Sequence, residues 1–128
     1  TGLAAFPSRG RRILIAGDML ELGASAGTYH QELGAFAAEQ DIDFVISHGD
    51  FSADIARGAT DHGMTIHRLA DCPSFDTLEL TLDCLLAPGD LILVKGSRGS
   101  RMERVIEWLQ ERAKAYPRPE SPPRKAVA

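Results

Sequence analysis

The feature that most constrains this chain is a short unbroken apolar run, Ile13-Leu14-Ile15-Ala16, entered through Arg11-Arg12 and closed by Gly17. A strand with one wet face alternates apolar and polar residues. A run without alternation suits a strand covered on both faces, as in a parallel sheet between two layers of helices. Phe44-Val45-Ile46-Ser47 and Leu91-Ile92-Leu93-Val94 repeat the pattern, the latter most clearly, and residues 64–68 read as a shorter strand, third in order.

Helical spacing fills the gaps. Residues 29–40 place Leu33, Phe36 and Ala37 on one face. Ser52 or Asp50 can cap a helix carrying Ile55, Ala56 and Ala59 that ends at Gly63. Pro73-Ser74 opens a helix over 75–86 with Leu78, Leu82 and Leu85 inward, stopped by Pro88-Gly89. A last helix runs from 100 to about 114 with Met102, Val105, Ile106 and Leu109 on one side, and Trp108 reads as core with Met102 and Leu109. The order β-α-β-α-β-α-β-α predicts an α/β fold: a three-layer, mostly parallel, Rossmann-like sheet.

Composition narrows the function. With 128 residues, 44% hydrophobic and 25% charged, the chain is expected to be one soluble domain with a core large enough to dispense with disulfides. Cys72 and Cys84 show no CxxC spacing and no paired histidine, so both read as buried thiols of a reducing compartment, the cytoplasm. No stretch is long and apolar enough for membrane insertion, and no signal peptide is legible. The formal charge of −4 is uneven: residues 1–113 carry −7, while Lys114, Arg118, Arg124 and Lys125 against Glu120 give residues 114–128 a charge of +3. An acidic body argues against nucleic acid as a partner. Residues 114–128, with four prolines between 117 and 123, are expected to be a basic, disordered tail. Residues 1–6 read as the last turns of a helix and no initiator Met is present, so the chain is expected to be a piece of a longer protein.

Ligands of an open parallel sheet gather beyond the carboxyl ends of its strands. Two loops there are unusual: Gly17-Asp18-Met19-Leu20-Glu21-Leu22-Gly23 after the first strand, and Lys95-Gly96-Ser97-Arg98-Gly99-Ser100-Arg101 after the fourth. The second combines a point charge, a guanidinium fork and free N–H groups at a helix start, which suits a carboxylate or phosphate. It matches neither GxxxxGK[ST] nor GxGxxG, and it reads equally as a glycine turn with solvated basic residues. Asp18 could meet a ribose hydroxyl or a cation, or cap the next element. His30, His48, His62 and His67 form no metal-binding pair, so no metal site is expected, and no nucleophile set is legible.

In order and spacing, Gly17-Asp18-Met19-Leu20-Glu21-Leu22-Gly23, His30, and Lys95-Gly96-Ser97-Arg98-Gly99 with Met102-Glu103 resemble the C-terminal domain of the D-alanyl-D-alanine-adding branch of the Mur ligase family. The resemblance covers residues 1–113. It implies a cytoplasmic, monomeric enzyme of peptidoglycan synthesis in which ATP phosphorylates the carboxylate of UDP-MurNAc-tripeptide and the amine of D-alanyl-D-alanine attacks the acyl phosphate. It implies that Asp18 lies near the ATP, that Lys95, Ser97 and Arg98 hold the dipeptide, and that Glu21, His30, Gly96 and Gly99 support them. ATP and magnesium would be held mainly by a central domain outside this chain, so the chain alone would carry no catalytic residue and no activity. The family's domain begins with a further strand upstream of Thr1; without it the sheet is expected to lack a strand beside strand one, leaving an exposed edge or apolar groove. The other reading left by the residues is a stand-alone α/β module binding a small anion or nucleotide without catalysis.

Overall fold

The computed structural model describes residues 10–20, 22–97 and 101–114. Four strands, β1 (Arg12–Ala16), β2 (Phe44–His48), β3 (Leu69–Cys72) and β4 (Leu91–Lys95), alternate with four helices, α1 (Ala26–Ala38), α2 (Ser52–Asp61), α3 (Phe75–Leu85) and α4 (Met102–Ala113). All pairings are parallel, in the order β3-β2-β1-β4. The chain steps outward from β1 to β3, then returns across the sheet to place β4 on the other side of β1. That reversal puts the switch point between β1 and β4.

The absence of alternation in β1 is explained by its two neighbours. Ile13 and Ile15 face a core shared with Ile46, Cys72, Leu78, Leu82, Met102 and Val105, beneath α3 and α4. Leu14 and Ala16 face the opposite core, with Val45, Ala37, Ile55 and Ala59, beneath α1 and α2. Each such fully buried aliphatic contributes about 1.5–3 kcal/mol. Trp108 and Leu109 pack against the first core, as their spacing predicts.

Several sequence expectations shift. The third strand is not 64–68: Ile66–Arg68 forms a 3-10 turn with Ile66 exposed, and β3 begins at Leu69, where pairing with Val45 starts. Tertiary pairing here outweighs the β-branched bias of Thr65 and Ile66. In α1, Ala37 is buried, but Phe36 is 58% exposed and belongs to the helix flank. Neither Asp50 nor Ser52 caps α2; Phe51 takes the cap position without a side-chain bond, and Ser52 is buried. Ser74 does cap α3, accepting from the Thr77 N–H at 3.1 Å. Cys72 is buried but Cys84 is exposed. Strand β1 does not lack a neighbour, since β2 and β4 flank it, and the exposed strand is β4. No helix among the described residues is long and apolar enough to cross a membrane.

Helices α1 and α2 approach at glycines. A Cβ on Gly34 would lie 1.9 Å from the Ile55 carbonyl oxygen, and one on Gly58 would lie 1.8 Å from that of Gln31. Only hydrogen fits at either position, which draws the two helices together over β2 and fixes the loops that precede them.

Candidate functional site

Both unusual loops leave the carboxyl edge of the sheet at the switch point, as the sequence predicts. Lys95 ends β4 opposite Ala16, and the Gly17 N–H donates to the Lys95 carbonyl at 2.7 Å, extending the ladder by one bond. The Ser97 N–H donates to the Asp18 carbonyl at 3.0 Å, and the Ser97 Oγ accepts from the Leu20 N–H at 3.0 Å. Ser97 therefore ties the two loops together through backbone and side chain at once.

Asp18 makes a different tie. The residue is 8% exposed, and its carboxylate accepts from the Asp50 and Phe51 N–H groups, each at 2.9 Å. These amides open α2, so the cap that neither Asp50 nor Ser52 supplies comes from the neighbouring loop. Two amide donors at the opening of α2 thus hold the carboxylate. Gly49 makes the approach possible: its φ is +105°, and a Cβ would stand 2.5 Å from Asp18 Oδ2. Of the alternatives open to Asp18, capping the next element comes nearest, although the capped element is α2.

His30 holds the same loop from below. It is fully buried on α1 and stacks on the Phe51 ring, with centroids 4.4 Å apart and planes within 8°. Its Nδ1 lies 2.6 Å from the Ala26 carbonyl and its Nε2 lies 2.9 Å from the Met19 nitrogen. A carbonyl only accepts and a backbone amide only donates, so the ring carries its proton on Nδ1 and accepts at Nε2. Both nitrogens are satisfied by the neutral tautomer.

Lys95 is exposed, and among the described residues its ammonium joins no ion pair. Gly96 and Ser97 are half-buried. Glu21, Arg98 and Gly99 lie outside the described residues. Arg101, which enters α4, has φ +64°, a left-handed conformation costing a non-glycine residue about 1–2 kcal/mol. Sequence reasoning gave Arg101 no role beyond its place in the second loop, and singled out neither Gly49 nor Phe51. The pair Gly49-Asp50 after β2 was the one available signal, a turn able to present amides.

A family model described as "Mur ligase, glutamate ligase domain" matches residues 1–98. The chain belongs to the Mur ligase family. Two UDP-N-acetylmuramoyl-tripeptide–D-alanyl-D-alanine ligases are similar to it: one from Bacillus subtilis, 37% identical over 102 residues, and one from Escherichia coli, 40% identical over 111. These alignments take in 80% and 85% of this chain but only 22% and 23% of the relatives, so the chain spans under a quarter of their length. Among solved structures, MurF from Acinetobacter baumannii superimposes with a TM-score of 0.67 at 28% identity, over 80% of this chain and 22% of that one. A Thermotoga maritima MurF ligase in complex with ADP shares the fold, with a TM-score of 0.65 at 24% identity over 90% of this chain and 25% of its own. The Mur ligase assignment agrees with the two motif loops being tied together at the β1/β4 switch point.

Proposed function

We propose that this chain is the C-terminal domain of a cytoplasmic, ATP-dependent ligase that joins D-alanyl-D-alanine to UDP-MurNAc-tripeptide. The observation that carries this reading is the junction at Ser97, which unites the two motif loops into one wall at the place where an open sheet receives ligands. In the reaction, ATP phosphorylates the tripeptide carboxylate. The dipeptide amine then attacks the acyl carbon, the C–N bond forms as the C–O bond to phosphate breaks, and the amine proton passes to solvent or a nearby base.

This chain's share is to hold the acceptor. A zwitterionic dipeptide needs its carboxylate fixed by a cation and N–H donors while its amine points outward. Lys95 with Arg98 supplies the charge, and the Ser97 junction fixes the loop that begins at Lys95. Positioning of this kind lowers a barrier by several kcal/mol. Asp18 and His30 act through the loop: with both carboxylate oxygens and both ring nitrogens engaged within the fold, they place Met19 and Leu20 rather than meet the nucleotide themselves. Among the described residues no three His, Cys, Asp or Glu side chains converge, and no step is assigned to magnesium, which the family resemblance places mainly on a central domain outside this chain. The stand-alone module gains no support from the Bacillus subtilis and Escherichia coli relatives, of which this chain matches only 22% and 23%.

The test is steady-state kinetics of the full-length ligase. Lys95→Ala and Arg98→Ala should each raise KM for the dipeptide about tenfold, the equivalent of about 1.4 kcal/mol, with KM for ATP unchanged. If KM and kcat for the dipeptide both stay at parental values, the acceptor role is wrong.

A further inference from the structure

Helix α3 buries leucines on one side and leaves one standing on the other. Leu78 and Leu82 are buried in the core beneath the helix, whereas Leu80, about 200° from each around the axis, points outward and is 68% exposed. With Asp76 and Asp83 it forms one stripe down the outer face, about 10 Å long. Hollows open on both flanks of Leu80. On the α4 flank, one of about 350 Å³ is lined by Asp76, Glu79, Asp83, Trp108 and Arg112 as well as Leu80. On the other flank, one of about 400 Å³ is lined by Leu80, Thr81, Cys84 and Leu85. A single exposed leucine on a flat surface is ordinary. A leucine between two concavities, with a tryptophan in the wall of one, has the relief of a docking surface.

We infer that this face docks a partner protein through a helix that carries arginines beside an apolar side chain. Charge sets the sign of the partner. Three carboxylates line the first hollow against one cation, Arg112, and that cation is already engaged: it pairs with Asp83 and lies over the Trp108 ring, 4.6 Å from its centroid. Among the described residues Asp76 and Glu79 join no ion pair. Arg112 also shows what the hollow takes, a guanidinium held by an indole and a carboxylate together, the combination that suits arginine better than lysine. A second guanidinium, Arg104, lies over Phe75 at 4.3 Å, so both aromatic side chains where α3 meets α4 carry one. An arginine brought in by a partner finds the same chemistry at Asp76 and Glu79, while an apolar neighbour on its own helix packs on Leu80. The groove between two helices and the two-turn stripe of α3 match the helix-in-groove mode of recognition. Neither hollow is lined by Asp18, His30, Lys95 or Ser97, so docking here leaves the loops open and does not rest on the acceptor role.

The probe is an amidated, alanine-based helical peptide with two arginines one turn apart and a leucine between them, titrated into the 128-residue chain and followed by NMR. Saturable shifts are expected at the Leu80 methyls and the Trp108 indole N–H, weakening as added salt screens the charges, with the amide signals of Met19, Asp50 and Ser97 in place. Leu80→Asp should weaken binding about tenfold. Asp76→Lys combined with Glu79→Lys should weaken it as much and remove its salt dependence, and in both variants the unmoved Met19, Asp50 and Ser97 amides show that the domain remains folded. Absence of shifts at Leu80 and Trp108 would overturn the inference, as would equal binding by a peptide with glutamates in place of the arginines. So would a concentration-dependent dimer by light scattering in which the Leu80 methyls are protected without peptide, which would give the face to a second copy.

Discussion

Exchanging His30 for asparagine or glutamine separates its two hydrogen bonds, because each amide reaches only one of the ring's nitrogen positions. Asparagine places its NH2 where Nδ1 stood, keeping a donor toward the Ala26 carbonyl and leaving the Met19 N–H without an acceptor. Glutamine places its carbonyl where Nε2 stood, keeping the Met19 bond and abandoning Ala26. Each loses one buried hydrogen bond, worth about 1 kcal/mol, together with part of the Phe51 stack, worth about 0.5–1.5 kcal/mol. Both should therefore unfold about 2 kcal/mol more easily than the parent. Alanine loses both bonds and leaves a cavity, for about 3–5 kcal/mol. Urea unfolding followed by Trp108 fluorescence measures stability, and amide hydrogen exchange at Met19 reads the loop. Met19 should exchange faster in His30→Asn than in His30→Gln despite similar global stability. Equal Met19 exchange in the two variants, or an alanine variant within about 1 kcal/mol of the parent, would refute the assigned tautomer and its role in holding the loop.

Other consequences can be checked in the same chain. Asp18→Asn replaces one acceptor oxygen by an NH2 group facing a backbone N–H, so a loss of about 2 kcal/mol is expected, with faster exchange at Asp50 and Phe51; unchanged protection at both amides would contradict the cap. Gly58→Ala must push α1 from α2 by its contact with the Gln31 carbonyl, for at least about 1–3 kcal/mol, and a Tm equal to the parent's would show the helices to be loosely seated. Burial and, to a smaller extent, the charge of Asp71 push the Cys72 thiol up against a lowering contact from Thr81. At mildly alkaline pH iodoacetamide should therefore label Cys84 in the folded chain and Cys72 only after unfolding. Because the folded state holds the Cys72 proton more tightly, its contribution to stability is complete below the ordinary thiol range and declines as pH climbs through it; stability rising with pH through that range after Cys84→Ser would contradict this.

The fold was readable where burial is symmetric. Strand β1, covered on both faces, shows its apolar run openly, and the glycines that follow β1, β2 and β4 mark their loops. Strand β3 was misplaced because Leu69-Ala70-Asp71-Cys72 has little β character of its own and is a strand through its pairing with β2. Phe36 was assigned inward because periodicity does not separate a core face from the flank next to it; it lines a surface hollow with Gly58 and Asp61 of α2. At the site, the sequence pointed to Asp18, His30 and Ser97, whose hydrogen-bond partners were not visible in it. That Asp18 would seek the amides after β2 depends on the parallel adjacency of β1 and β2 and on a positive φ at Gly49, both of which arise only when the sheet assembles.

The junction made by Ser97 has a mechanical consequence. Met102 meets Gly17 at the loop edge, while Arg112 pairs with Asp83 near the far end of α3, so α4 runs back down the sheet and Lys114 ends on the same side as Gly10. Chain entering at Gly10 or continuing past Lys114 thus attaches a full strand height away from the loops, about 17 Å for five residues. Because the loops are tied into one wall, the sheet between attachment and site acts as a rigid lever. A tilt of about 10° at the base carries the whole wall about 3 Å over such an arm, enough to make or break every hydrogen bond it offers a ligand without any loop changing shape.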